Sequence, residues 1–228
     1  MIERLYNEDA YHSLSIEGYQ VTEELIAKVS KNNFRPEINE NDQEQRNALA
    51  AKGYYDCFKS VHNSVHKVID GENAGKVFSH DLQSWYRHLF KPMVQAGVLN
   101  ASDLAGYRNQ PVYIKGSSHV PPNSSAVLDC MQVLEDFLCN EREASARAVL
   151  GHFFLGYIHP YRDGNGRIAR FLMNLNLISG GYNWTVIRVS RRKQYLEALE
   201  TASSKYDIEP FTRFILEEMR HWKKLRAK

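Results

Sequence analysis

The stretch His159-Pro160-Tyr161-Arg162-Asp163-Gly164-Asn165-Gly166-Arg167-Ile168-Ala169-Arg170 decides the reading of this chain. Pro160 biases the residue before it away from helical backbone, so the apolar helix leading into the stretch should end at His159. Asp163-Gly164-Asn165-Gly166 spells a tight turn. A new helix is expected from about Arg167, with Ile168, Phe171, Leu172 and Leu175 facing the core. Gly164, Asn165 and Gly166 then stand at a helix N-terminus, where free N–H groups and the helix dipole attract an anion. Glycine lets the backbone approach that anion and take positive φ. Arg167 and Arg170 lie in the first turn, the wrong end of the dipole for a cation. Being three residues apart they share a face, and their forked guanidinium groups suit one chain of phosphates.

Two titratable groups flank this anion site. His159, with an ordinary pKa of about 6.5, suits a general base at neutral pH. Asp163 is a hard oxygen ligand fit for Mg²⁺ held jointly with phosphates. Together these residues point to attack of a hydroxyl on a nucleotide phosphate. Each part alone has a plainer reading. Gly-Asn-Gly serves as a connector, Asp163 as a helix N-cap, and His159 as a surface loop residue. Their coincidence within one short stretch favours the chemistry. The chain contains no GxxxxGK followed by Ser or Thr, so it is not a P-loop protein.

Outward from the loop, helical patterns dominate. Gln43 to Val68 carries Leu49, Tyr54, Phe58, Val61 and Val65 near 3.6 spacing. Ser79 to Val94 is expected to start on Ser79 as N-cap. Ser125 to Leu138, Glu143 to Ile158, Arg167 to Ile178 (stopped by Gly180-Gly181), Lys193 to Ser203 and Phe211 to Lys224 follow. Gln110 to Pro122 breaks the pattern. It alternates briefly, turns at Gly116-Ser117 and ends on two prolines, which predicts a short β-hairpin or extended flap. The fold class is therefore all-α with one small hairpin. The first forty residues, ending around Phe34-Arg35-Pro36, are expected to form a helical appendage packed on the core.

Composition sets limits. The 228 residues are 43% hydrophobic and 25% charged, with a net charge of +2, so no whole-molecule field steers the chain to nucleic acid or membrane. No apolar stretch approaches the roughly 18 residues of a membrane span. Met1-Ile2-Glu3-Arg4 does not read as a secretory signal. Cys57, Cys130 and Cys139 form no CxxC pair, which fits a reducing compartment and makes the cytoplasm the default.

The central stretch resembles the signature of the Fic family, His-Pro-Phe-x-Asp/Glu-Gly-Asn-Gly-Arg-x-x-Arg, with Tyr161 where the family usually has Phe. Ala105 to Arg108, Val112 to Gly116 and Val120-Pro121-Pro122 resemble the stretch holding the family's flap. Arg192 to Phe211 resembles its C-terminal helical part, so the likeness covers roughly residues 45 to 218. The resemblance implies a Fic-type helical bundle that transfers AMP from ATP to a Ser, Thr or Tyr hydroxyl of a target protein. His159 would be the base and Asp163 would hold Mg²⁺. Gly164, Asn165, Gly166 and Arg167 would bind the α- and β-phosphates, and Arg170 the γ-phosphate. The flap, Val112, Tyr113, Ile114, Lys115 and Gly116, would pair with the target's backbone. Tyr195 and Ser204 are weaker candidates for an adenosine pocket.

Ser13-Leu14-Ser15-Ile16-Glu17-Gly18 reads alone as a short helix begun by Ser13 and ended by a glycine. Beside the loop it resembles the family's N-terminal inhibitory motif, Ser/Thr-x-x-x-Glu-Gly/Asn. Glu17 would pair with Arg170 in place of the γ-phosphate, and Ser13 would add a hydrogen bond. The organisation implied is an inhibitory segment at 1–44, a catalytic domain at 45–218 and a basic tail at 219–228. The target protein is some other protein or the chain itself, and a homodimer is left open. Alternatives are removal of AMP, transfer of another phosphate-containing group on the same site, or a nucleotide-binding interaction module without catalysis.

Overall fold

The computed structural model describes residues 2–30 and 42–226. The segment around Phe34-Arg35-Pro36, where the appendage was expected to end, lies outside the described residues. Two short N-terminal helices, α1 (Ile2–Ile16) and α2 (Glu23–Ser30), precede a pair of long ones, α3 (Asp42–Ile69) and α4 (Ala74–Gln95). Five more helices follow: α5 (Val127–Asn140), α6 (Ala144–Ile158), α7 (Asn165–Ser179), α8 (Arg192–Lys205) and α9 (Glu209–Arg226).

Helices α3 and α4 run back to back because Gly53 lets them touch. A Cβ there would meet the Leu89 carbonyl oxygen at 2.0 Å. Farther along the pair, Asp81 accepts from Lys67 Nζ and Ser64 Oγ, and Trp85 Nε1 donates to Ser64 Oγ at 3.0 Å. The α4 start differs from expectation. Asn73 is the N-cap, with extended backbone and a side chain accepting from Lys76 N–H. Ser79 lies a turn inside the helix and donates to Glu135 instead.

Helix α7 is the central strut, buried on every side. Ile168, Phe171, Leu172 and Leu175 join one apolar cluster with α1, α3, α4 and α5. Met173 and Leu177 join a second with α6, α8 and α9, which includes Phe153, Tyr195, Phe211 and Ile215. Buried polar groups on such a helix must find partners. Asn174 does so by accepting from Thr185 N–H and donating to Thr185 O, which stitches the chain after α7 back onto it. The Gly180-Gly181 stop is observed: Gly181 has φ 75° and Tyr182 N–H donates to Leu177 O at 3.0 Å. Helix α9 runs without a break through residues 219–226, and Trp222 is buried, donating to Val186 O at 2.6 Å.

The flap is where the expectation of a hairpin fails. Among the described residues no strand forms. Residues 110–122 form neither helix nor strand, with a turn closed by Ser117 N–H to Ile114 O at 3.1 Å and Gly116 at φ 79°. The Arg108 guanidinium provides the ties that cross-strand bonds would have provided. It donates to Gln110 O at 3.1 Å and Pro122 O at 2.6 Å, drawing the two flap ends together.

Candidate active site

The loop between α6 and α7 is held from behind. His159 closes α6 in the left-handed region, φ 51° and ψ 59°, a conformation that costs a non-glycine residue about 1 kcal/mol or more. The surroundings enforce it. Arg108 Nε donates to the His159 carbonyl at 2.8 Å, its Nη2 reaches Ile158 O, and Arg108 N–H donates to Pro160 O at 2.8 Å. Tyr161 fills the space beneath, stacked on Tyr86 at 3.7 Å between ring centres. It performs the packing expected of an aromatic there, but its buried hydroxyl has no hydrogen-bond partner. Asn165 staples the turn: its Oδ1 accepts from Tyr161 N–H at 2.9 Å and its Nδ2 donates to Tyr161 O at 2.8 Å. The Asn165 side chain is thus committed to the loop, and what it offers an anion is its backbone N–H.

Gly164 sets the start of α7. It has φ 86°, and a Cβ on it would meet Phe90 Cε2 at 2.8 Å. The first helical bond is Ile168 N–H to Gly164 O, so the N–H groups of Asn165, Gly166 and Arg167 point out of the helix end. Asp163 is not the N-cap of α7. Its Oδ1 accepts from Gly164 N–H at 2.6 Å and its Oδ2 from Arg167 Nη2 at 2.8 Å. Burial alone would raise the Asp163 carboxyl, but Arg167 and the Gly164 N–H hold it below the usual carboxylate range. Burial lowers the His159 imidazole, opposed by the Gly156 carbonyl. The His159 Nδ1 lies 3.3 Å from that carbonyl, which can only accept. In the neutral ring Nδ1 therefore carries the proton, and Nε2 is left as an acceptor.

Arg167 and Arg170 are both buried. Arg167 lies between the rings of Tyr19 and Phe90, and its Nε and Nη1 find no hydrogen-bond acceptor. Arg170 is engaged from the N-terminus of the chain. Its Nη2 is 2.6 Å from Glu17 Oε1 and 3.1 Å from Ser13 O, and its Nε donates to Ser13 Oγ at 2.8 Å. Burial would pull the Arg170 guanidinium down, and the Glu17 carboxylate more than offsets that. Glu17 also lies over the helix end: a Cβ on Gly166 would meet its Oε1 at 2.4 Å. The carboxylate thus lies against Gly166, beside the free N–H groups of the helix end.

The segment expected to be inhibitory is built somewhat differently from expectation. Ser13 lies in the last turn of α1 rather than beginning a helix. The exit is a glycine turn, with Gly18 at φ 92° and Tyr19 N–H donating to Leu14 O at 3.1 Å. Tyr19, which the sequence reading missed, is the ring over Arg167. Its place directly after Gly18 was the only signal. The missed Tyr54 stands behind Ser13 and donates to Asp9 at 2.7 Å.

The two adenosine candidates are placed differently, Tyr195 beside Arg170 and Ser204 on the surface of α8. Tyr195 is buried, its hydroxyl 2.9 Å from His152 Nε2. Ser204 is exposed on α8 and donates to Glu200 O within its own helix. Asp163 is a half-exposed carboxylate, and no group of three metal-ligand residues occurs among the described residues. A divalent cation at Asp163 would need phosphate oxygens to complete its shell, which fits the habit of Mg²⁺. No helix of the described residues is long and apolar enough to cross a membrane.

Comparison with known proteins agrees with this geometry. Residues 77–177 match the profile of the Fic/DOC family. A protein adenylyltransferase Fic of Drosophila willistoni is 41% identical over 113 residues, 48% of this chain and 22% of that protein. One of Drosophila yakuba is 29% identical over 214 residues, 92% of this chain and 39% of that protein. Among solved structures, Fic-1 from C. elegans superposes with a TM-score of 0.76 at 21% identity, covering 98% of this chain and 64% of that one. A Fic domain containing signaling protein from Bacteroides thetaiotaomicron superposes with a TM-score of 0.67 at 19% identity, covering 95% and 84%. Residues 77–177 thus resemble the Fic/DOC family, and the fold of the chain is the one these solved structures share. It spans between about a fifth and two fifths of the length of the curated relatives it matches.

Proposed function

We propose that this chain transfers AMP from ATP to a hydroxyl group of a protein and that Glu17 holds it back. The observation carrying this reading is the juxtaposition, at one helix end, of a neutral imidazole, a carboxylate, free backbone N–H groups and two buried arginines. His159 Nε2 would take the proton of the attacking hydroxyl as its oxygen bonds to the α-phosphorus and pyrophosphate leaves. The N–H groups of Asn165, Gly166 and Arg167 would hold the α- and β-phosphates, while Gly164, its own N–H kept by Asp163, shapes the turn that exposes them. Arg167 Nε and Nη1, lacking acceptors now, would gain them from the β-phosphate. Arg170 would hold the γ-phosphate once Glu17 has left it. Mg²⁺ at Asp163 would supply charge neutralisation to the phosphates. The division into a regulatory segment at 1–44, a catalytic domain at 45–218 and a tail at 219–228 belongs to this reading. So does a cytoplasmic setting, in keeping with three free cysteines.

Glu17 facing the same anion cradle supports a second reading, in which its carboxylate activates water to remove AMP from a modified target. One experiment separates the two. Wild type, Glu17→Gly and His159→Ala are incubated with Mg²⁺ and α-labelled ATP and run on a denaturing gel. Label on the protein in Glu17→Gly alone supports AMP transfer under an N-terminal brake. No label in any lane, together with wild-type release of AMP from a modified protein, would replace it with removal.

A further inference from the structure

The flap has little internal structure, yet it holds one shape beside the loop, and a single carboxylate on α8 accounts for its tip. Glu200 Oε2 accepts from Ser117 Oγ at 2.5 Å. Glu200 Oε1 accepts from Ser118 Oγ at 2.5 Å and from Ser118 N–H at 3.0 Å. Ser117 Oγ in turn accepts from His119 N–H at 3.1 Å, so the hydroxyl is used twice to keep the turn folded. Just past the tip, the His119 ring lies 3.9 Å from Tyr157 and its Nε2 donates to Tyr157 O at 2.9 Å. The base of the flap hangs on Arg108, which also holds the His159 carbonyl. The flap is thus suspended at three points, and between them Val112 to Ile114 runs outside any helix or strand up to the turn at Lys115-Gly116, with Tyr113 81% exposed.

We infer that Glu200 is a positioning residue that latches the flap tip to α8 and so presents the 112–115 backbone as a ready-formed docking edge beside His159. This rests on the proposed AMP transfer only for the use made of the edge; the latch itself is a statement about the flap. A segment lacking ladder partners cannot keep its shape by local bonds, so its ends must be tied. An edge held in place also avoids paying the ordering entropy of a loose loop when an extended peptide pairs with it. The Glu200 carboxylate accepts from Ser117 and Ser118 of the flap, and its removal should act on target capture rather than on nucleotide binding.

The test uses the full chain carrying Glu17→Gly, with Glu200→Ala and Glu200→Gln added separately. The first readout is amide hydrogen exchange at Ser118, whose N–H donates to Glu200. Loss of a bond to a charged acceptor should speed it by about tenfold in Glu200→Ala. Glu200→Gln, keeping one carbonyl acceptor, should fall between. Exchange at Asn165 to Arg170 should not change. The second readout is self-labelling from α-labelled ATP, expected to slow several-fold in Glu200→Ala while the Kd for a non-hydrolysable ATP analogue stays the same. Unchanged Ser118 exchange overturns the latch whatever the activity. Faster exchange with unchanged labelling overturns its role in docking. Faster exchange with no labelling even when Glu200 is intact leaves the latch standing and refutes AMP transfer instead.

Discussion

Replacing Glu17 with Gln should lower the stability of the empty protein and then give that stability back when nucleotide binds. Arg170 is 3% exposed and its carboxylate partner 28% exposed. Breaking a fully buried pair costs about 3–5 kcal/mol. The partial exposure of Glu17, the Ser13 contacts that remain and the amide oxygen of Gln all reduce this, to about 1.5 kcal/mol. For a domain of this size that is a fall in Tm of roughly 3–6 °C. In the wild type the γ-phosphate must displace Glu17, so nucleotide affinity should be weaker by the same free energy, about tenfold. At nucleotide a hundred times the variant's Kd, the variant gains about 2.7 kcal/mol and the wild type about 1.4 kcal/mol. The difference in Tm should therefore nearly vanish. The assay is thermal unfolding of both proteins across a titration of Mg²⁺ and a non-hydrolysable ATP analogue. A Tm gap that persists unchanged at high nucleotide would refute the idea that carboxylate and phosphate compete for Arg170.

His159→Ala should lower AMP transfer in the Glu17→Gly background by at least about a hundredfold while the nucleotide-dependent rise in Tm remains; transfer near the starting rate would remove His159 as the base. Tyr161→Phe should raise Tm by roughly 2–4 °C, since it deletes a buried hydroxyl without a partner at about 1 kcal/mol; a lower Tm would reveal a hydrogen bond to that hydroxyl. Acid should weaken the fold well above the carboxylate range. Burial and then Arg170 bring His152 down to about 3, and burial lowers His159, His12 and His62 as well. Between pH 6.5 and 3 the unfolded chain binds protons that the folded chain refuses. Stability is then full above pH 6.5 and falls below it, by up to about 1.4 kcal/mol per pH unit for His152 alone. A Tm flat from pH 7 to pH 5 would contradict this.

The loop from His159 to Arg170 was legible because its chemistry is local. A proline, two glycines and the first turn of a helix lie in one run, so their geometry follows from backbone rules alone. The contact between Glu17 and Arg170 spans 153 positions. No periodicity connects such residues, and only the likeness of Ser13 to Gly18 to a known motif suggested it. The flap shows the opposite failure. Alternation in Val112 to Lys115 looked like a hairpin, but the ties that shape it come from Arg108 and from Glu200, more than eighty positions away. Asn73 replaced Ser79 as the start of α4 because the helical pattern extends upstream through Val77 and Phe78, both buried.

Arg108 has a consequence beyond tying the loop together. The atoms around its guanidinium are carbonyl oxygens, those of Gln110, Pro122, Ile158 and His159. Peptide dipoles solvate a cation without cancelling it, so its positive potential extends into the cleft. That potential favours a polyphosphate, and it adds to the larger effect of burial in pushing the nearby imidazole toward its uncharged form. The same charge that anchors the scaffold therefore biases the cleft toward negative ligands and helps keep a proton acceptor vacant before any nucleotide arrives.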